Sequence, residues 1–184
     1  MFEGLIICAG MRRSASTWQY QVARELAVKE GGVALDFVTW QELESKLRDH
    51  PARTVIVKTH TYYPWHTRCL DDRMNRIRVI YTYRDLRQVA ASIMRMHSMW
   101  LMSTDILTEI RSIVKSSEAW CALPGVLIQP YEQILSKPVD CVIQIARMVQ
   151  IDITRVRARR IAKRYDRSHQ KQREPAVLID YDPQ

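Results

Sequence analysis

The feature that most constrains this chain lies at its start. An apolar run, Leu5-Ile6-Ile7-Cys8-Ala9, stops at Gly10, passes through a short polar loop and gives way to a helical pattern. Leu5 to Ala9 reads as a strand and Ser16 to about Glu30 as a helix, because Trp18, Val22 and Leu26 recur every four residues until the Gly31-Gly32 pair stops them. A strand that feeds a helix through so short a loop aims backbone N–H groups and the positive helix end at one point, where a phosphate can sit.

The same alternation continues downstream. Strands are expected at 34–38, at Thr54 to Val57, at Arg78 to Tyr83 and at Val126 to Gln129. Helices are expected from a Thr39/Glu42 capping box to Leu47, closed by His50-Pro51, then at Leu86 to Met96, Asp105 to Ala122 and around Val139 to Val149. Alternating strands and helices imply an α/β three-layer domain with a central, mostly parallel sheet, P-loop-NTPase-like, whose ligands bind beyond the carboxyl ends of the strands. With 184 residues, 47% hydrophobic and 26% charged, the expectation is one domain over 1–184 with a single core. The opening run is too short and lacks the basic flank of a signal peptide, and no stretch matches a membrane span, so a cytoplasmic location is expected. The four cysteines show no ligand-like spacing, and no metal site is expected.

Charge is concentrated. Nine basic residues stand between Arg155 and Arg173 against one acid, Asp166, a net +8 equal to the formal charge of the entire chain. The remainder is neutral, which disfavours a nucleic-acid-binding module and suits either a solvated basic helix or one local anionic ligand.

The loop Gly10-Met11-Arg12-Arg13-Ser14-Ala15-Ser16-Thr17 departs from the nucleoside-triphosphate pattern G-x-x-x-x-G-K-[ST]: Gly10 and Thr17 fit, but Ala15 holds the second glycine position and Ser16 the lysine position. A small-molecule kinase is therefore a distant alternative. Arg13 can supply the missing cation, and Ser14, Ser16 and Thr17 offer hydroxyls to phosphate oxygens, although Ser16 or Thr17 can equally cap the helix. Lys58-Thr59-His60 and Arg84-Asp85 directly follow two other strands, so three polar clusters converge on the same sheet edge.

These three segments, in this order, carry a resemblance. Arg13-Ser14-Ala15-Ser16-Thr17-Trp18 resembles the P-K-S-G-T-T-W loop of PAPS-dependent sulfotransferases of the cytosolic type, where PAPS is 3′-phosphoadenosine 5′-phosphosulfate. Lys58-Thr59-His60 resembles that family's K-T-H, and the run from Arg84 to Ser92 resembles R-D-P-R-D-V-x-x-S, its 3′-phosphate motif. The segment Val126 to Glu132 is similar to the strand and Y-E-D stretch beside adenosine. The resemblance implies sulfuryl transfer from PAPS to a hydroxyl acceptor, with adenosine 3′,5′-bisphosphate as product. Arg13, Ser14, Ala15, Ser16 and Thr17 would hold the 5′ side, Arg84 and Ser92 the 3′-phosphate, and Trp18 and Tyr131 the adenine surroundings. Catalysis would fall to His60 as general base, mostly neutral at cytoplasmic pH with a pKa of about 6.5, assisted by Lys58 and Arg13.

For the acceptor, Tyr62, Tyr63 and Trp65 follow the K-T-H segment, and Met96 and Trp100 belong to an apolar cluster after the second phosphate helix. Their composition suits a small phenol or hydrophobic alcohol. The family's C-terminal R-K-G-x-x-G segment has no counterpart, so the nearest alternative is an inactive or truncated adenosine-bisphosphate-binding domain. Oligomeric state has no sequence signal.

Overall fold

The computed structural model describes residues 2–38, 40–49, 53–62, 76–96 and 103–166. Five strands, β1 (Gly4–Gly10), β2 (Val33–Phe37), β3 (Thr54–Thr59), β4 (Ile77–Tyr83) and β5 (Leu127–Pro130), form one sheet in the order β2-β3-β1-β4-β5, and every pairing is parallel. Parallel strands need covered crossovers, and both faces carry helices: α1 (Ser16–Val28), α2 (Trp40–Asp49), α3 (Leu86–Met96), α4 (Ser103–Cys121), α5 (Tyr131–Ser136), α6 (Pro138–Met148) and α7 (Arg155–Arg164).

The two-residue period of the strands divides the core. Leu5, Ile7, Ala9, Val55, Val57, Val79 and Tyr81 face a layer built by α2, α3 and α4, with Leu43, Leu47, Val89, Ile93 and Trp120 among its buried side chains. Ile6, Cys8, Ile56 and Ile80 point the opposite way, into α1, α6 and α7. Both faces of β1 are thus buried, which is why its sequence reads as a continuous apolar run instead of an alternating one. Trp18, Val22 and Leu26 lie in the second layer, as their spacing predicts.

Expected boundaries hold to within one or two residues, with two informative differences. β3 continues through Lys58 and Thr59, so extended backbone reaches the residue before His60. The segment after β5 contains a separate six-residue helix, α5, too short to show a helical period. Thr39, His50 and Pro51 lie outside the described residues. Among the described residues, no helix is long and apolar enough to cross a membrane.

Register sets the position of the site. Ala9 pairs with Thr59 and Gly10 with Thr82, so the ends of β3, β1 and β4 lie side by side. Gly10 is required there, since a Cβ on it would collide with the Thr82 Oγ1 atom.

Candidate functional site

The loop after β1 is held by buried hydrogen bonds. Met11 N–H donates to the Thr82 carbonyl at 2.9 Å, and the fully buried Ser14 hydroxyl donates to the Met11 carbonyl at 2.6 Å and lies 2.8 Å from Thr82 Oγ1. Ser14 therefore braces the loop from below with its side chain. Arg13 and Ala15 both adopt left-handed backbone, φ 66° and 68°. Ala15 is the N-cap of α1 and its side chain caps nothing, so neither Ser16 nor Thr17 takes the capping role the sequence also allowed. The first turn of α1 is left with unblocked N–H groups and contains no acid, an anion-attracting end.

Cations surround this end. Lys58 Nζ donates to Thr17 Oγ1 at 2.8 Å, and burial holds its ammonium below the ordinary lysine value. Arg13 Nε donates to Ser92 Oγ at 2.9 Å, which joins the loop after β1 to α3 across 79 residues of chain. Arg84 Nη1 donates to the Arg13 carbonyl at 3.2 Å, its Nε donates to Gln88 Oε1, and its guanidinium lies 4.0 Å from the centre of the Tyr131 ring. Asp85, between these cations, works on α3: its Oδ1 accepts from the Arg87 and Gln88 N–H groups, and its pKa is pushed down to about 2, chiefly by the hydrogen bond from the Arg87 side chain.

His60 is placed with its own orienter. Its Nδ1 lies 2.7 Å from the Gly10 carbonyl, which can only accept, so Nδ1 carries the hydrogen and the neutral ring keeps its lone pair on Nε2. Burial lowers the pKa of His60; the Gly10 bond opposes this, while Lys58 and Arg12 reinforce it. The Phe37 ring packs at 5.6 Å against the imidazole. A neutral imidazole with Nε2 unprotonated is a competent proton acceptor.

Three clefts meet at this edge. The first is lined by Arg12, Arg13, Ala15, Ser16, Thr17, Trp18, Phe37 and His60. The second adjoins it at Ala15 and Trp18 and adds Tyr131, four apolar residues of α5 and α6 (Ile134, Leu135, Pro138 and Val139), and Arg159, Lys163, Tyr165 and Asp166. The third shares Arg12 and His60 with the first and is walled by Thr61, Tyr81 and one face of α4. The structure thus gathers Arg13, Ala15, Ser16, Thr17, Trp18, Lys58, His60, Arg84, Ser92 and Tyr131 at one end of the sheet. Tyr62 packs edge-on to Trp120 with ring centres 5.0 Å apart. Tyr63, Trp65 and Trp100 lie outside the described residues, as does the side chain of Met96.

Sequence reasoning missed Arg12, Phe37, Glu109, Arg159 and Lys163. The basic run signalled the last two only as bulk charge. Three other α7 arginines are paired within the fold, Arg155 with Asp140, Arg157 near Glu30 and Arg164 with the buried Glu25, whereas Arg159 and Lys163 line the second cleft together with Asp166.

A three-layer α/β fold with a parallel sheet and a strand–loop–helix opening defines a P-loop-like architecture. Solved structures share it: mouse sulfotransferase SULT7A1 in complex with PAP is 18% identical, with a TM-score of 0.70 over 94% of this chain and 66% of that one. Retinol dehydratase in complex with androsterone and PAP is 15% identical, with a TM-score of 0.61 over 88% of this chain and 64% of that one. This chain spans about two thirds of the length of both. YorR protein from Bacillus subtilis, in complex with phosphorylated GDP, is 14% identical with a TM-score of 0.50. No family model matches the chain, and no curated protein matches it in sequence. At these identities the likeness establishes the fold.

Proposed function

We propose that this chain transfers a sulfuryl group from PAPS to a hydroxyl-bearing small molecule, with His60 as general base. The observation that carries the reading is the Nδ1–Gly10 bond, which leaves Nε2 as the basic nitrogen of a residue common to two clefts. The donor set fits a bisphosphorylated nucleotide: the N–H groups opening α1, Lys58 and Thr17 form one anion site, and Arg13, Arg84 and Ser92 form a second. Trp18 and Tyr131 supply flat apolar surface in the adjoining cleft, with Arg159 and Lys163 at its wall. The SULT7A1 and retinol dehydratase structures, each complexed with PAP, support the same reading.

When bound, PAPS supplies the sulfuryl group: the acceptor oxygen forms the new O–S bond, the bond to the 5′-phosphate oxygen breaks, and adenosine 3′,5′-bisphosphate leaves with the electron pair. His60 Nε2 takes the acceptor proton, while the Gly10 carbonyl keeps the ring in the required tautomer. Lys58 balances the negative charge that spreads over the transferring group and the leaving oxygen. Incubation with sulfur-labelled PAPS and a panel of hydroxyl acceptors tests this. Labelled product is expected, and a folded protein that neither binds adenosine 3′,5′-bisphosphate nor transfers label sinks it.

A binding-only domain is the second reading, favoured by Ala15, whose methyl group occupies a left-handed position usually reserved for glycine beside the anion site. Stoichiometric bisphosphate binding with no turnover on any acceptor would decide for it.

A further inference from the structure

The third cleft, about 380 Å³, has the size of a small-molecule site and a mixed lining, with Met11, Tyr81 and Ile113 apolar and a polar remainder. Thr108, Ser112 and Ser116 recur every fourth residue of α4 and share its cleft-facing side with Glu109 and Ile113. A helix side packed towards an apolar ligand would carry leucine or isoleucine at most of these positions. Here one of the five is apolar.

Charge crosses the same space. Arg12, from the phosphate loop, donates to Glu109 Oε1 at 2.9 Å, with the Glu109 side chain 23% exposed, while Glu109 Oε2 has no hydrogen-bond partner among the described residues. A carboxylate with one oxygen held by an arginine can direct its second oxygen's lone pairs at substrate hydroxyls. Thr61, directly after His60, adds another hydroxyl-bearing side chain to the wall.

Resting on the sulfuryl-transfer reading, we propose that the acceptor is a neutral polyhydroxylated molecule, a sugar or polyol, held by Glu109, Ser112 and Ser116 while one hydroxyl faces His60. A phenol or apolar alcohol would strip water from the Arg12–Glu109 pair and the Ser112 and Ser116 hydroxyls without replacing its hydrogen bonds. A polyol replaces them. Sites built to hydrogen-bond a hydroxyl can reject analogues lacking it by factors of up to about 10⁴–10⁵, so the lining acts on selectivity more than on affinity.

The test uses the full chain, sulfur-labelled PAPS and two acceptor sets, hexoses and inositol against cresol and naphthol, with adenosine 3′,5′-bisphosphate binding measured by calorimetry in parallel. Polyols are expected to exceed the phenols at least about tenfold in kcat/KM, equivalent to ~1.4 kcal/mol. Glu109→Gln and Ser112→Ala should each raise the polyol KM by about tenfold with a smaller effect on kcat, both variants being checked for folding by circular dichroism. Preferential labelling of phenols, or a polyol KM unmoved in the folded variants, overturns the polyol assignment and leaves sulfuryl transfer standing. Bisphosphate binding without transfer to either set, or no bisphosphate binding, removes both.

Discussion

The loop between β1 and α1 and the helix α7 are both rich in cations, yet they use them differently. In the loop, backbone shape does the organising: two left-handed residues, a buried serine brace and an uncapped helix end define where an anion goes, and Arg13 and Lys58 are tied to Ser92 and Thr17. In α7, much of the charge is consumed by the fold, since Arg155, Arg157 and Arg164 face acids and Arg159 and Lys163 reach the aromatic cleft. Counting charges therefore overstates α7 and understates the loop. What matters is which cations line a cleft.

The largest effect should come from the loop side. His60→Ala is expected to cut transfer by about 10²–10⁴-fold while bisphosphate affinity stays nearly constant, because His60 is absent from both proposed anion sites. Rates must be taken with an acceptor of high pKa, since an acidic phenol ionises unaided. Intact transfer in the folded variant would return His60 to a structural role.

The acid limb of the rate profile gives a linked check. Since burial lowers the His60 pKa from 6.5, the neutral base persists below that pH, and transfer should hold its plateau through pH 7 and fall only in the more acidic range. The stability sign follows. The unfolded chain binds this proton more readily, so the His60 contribution is absent above 6.5 and becomes destabilising as pH falls from there towards the folded pKa. A plateau that breaks above 6.5 would contradict the burial.

Next is Arg84→Ala, expected to weaken bisphosphate binding by about 2 kcal/mol and to abolish discrimination against the analogue lacking the 3′-phosphate. Discrimination unchanged in calorimetry would take Arg84 out of the site. A smaller difference sharpens the comparison within α7: Arg159→Ala and Lys163→Ala should each cost the bisphosphate affinity about 1 kcal/mol, whereas Arg155→Ala, paired with Asp140, should cost it nothing. Equal losses from all three would mean diffuse attraction, which rising salt would erase. Smallest of all, Ala15→Gly should relieve the left-handed strain and raise stability by at most about 1 kcal/mol in a thermal melt, the gain limited by the extra freedom glycine has when unfolded.

Much of this was legible from local pattern. β1, the loop and α1 follow from an apolar run, a polar break and a four-residue repeat, and the motif order placed Lys58, His60 and Arg84 at strand ends where the structure has them. Contacts between distant parts of the chain were not legible. Arg13 meets Ser92, Arg12 meets Glu109 and Arg164 meets Glu25 across 79, 97 and 139 residues, and no spacing rule announces such pairs. Nor did the sequence reveal that Ser14 would brace the loop instead of facing the cleft, because that depends on Thr82 arriving beside it in β4. The contact between Tyr62 and the Trp120 ring of α4 was hidden for a similar reason.

The central position of β1 also has a kinetic consequence. Its two neighbours begin at Thr54 and Ile77, so β1 can pair with β3 only after more than about forty intervening residues have been made, and with β4 only later still. Parallel pairing across such separations is slow to nucleate, because loop-closure entropy is lost before any ladder bond compensates it. β1, buried on both faces in the finished sheet, is consequently a segment whose apolar surface stays uncovered during folding and that a chaperone would shield.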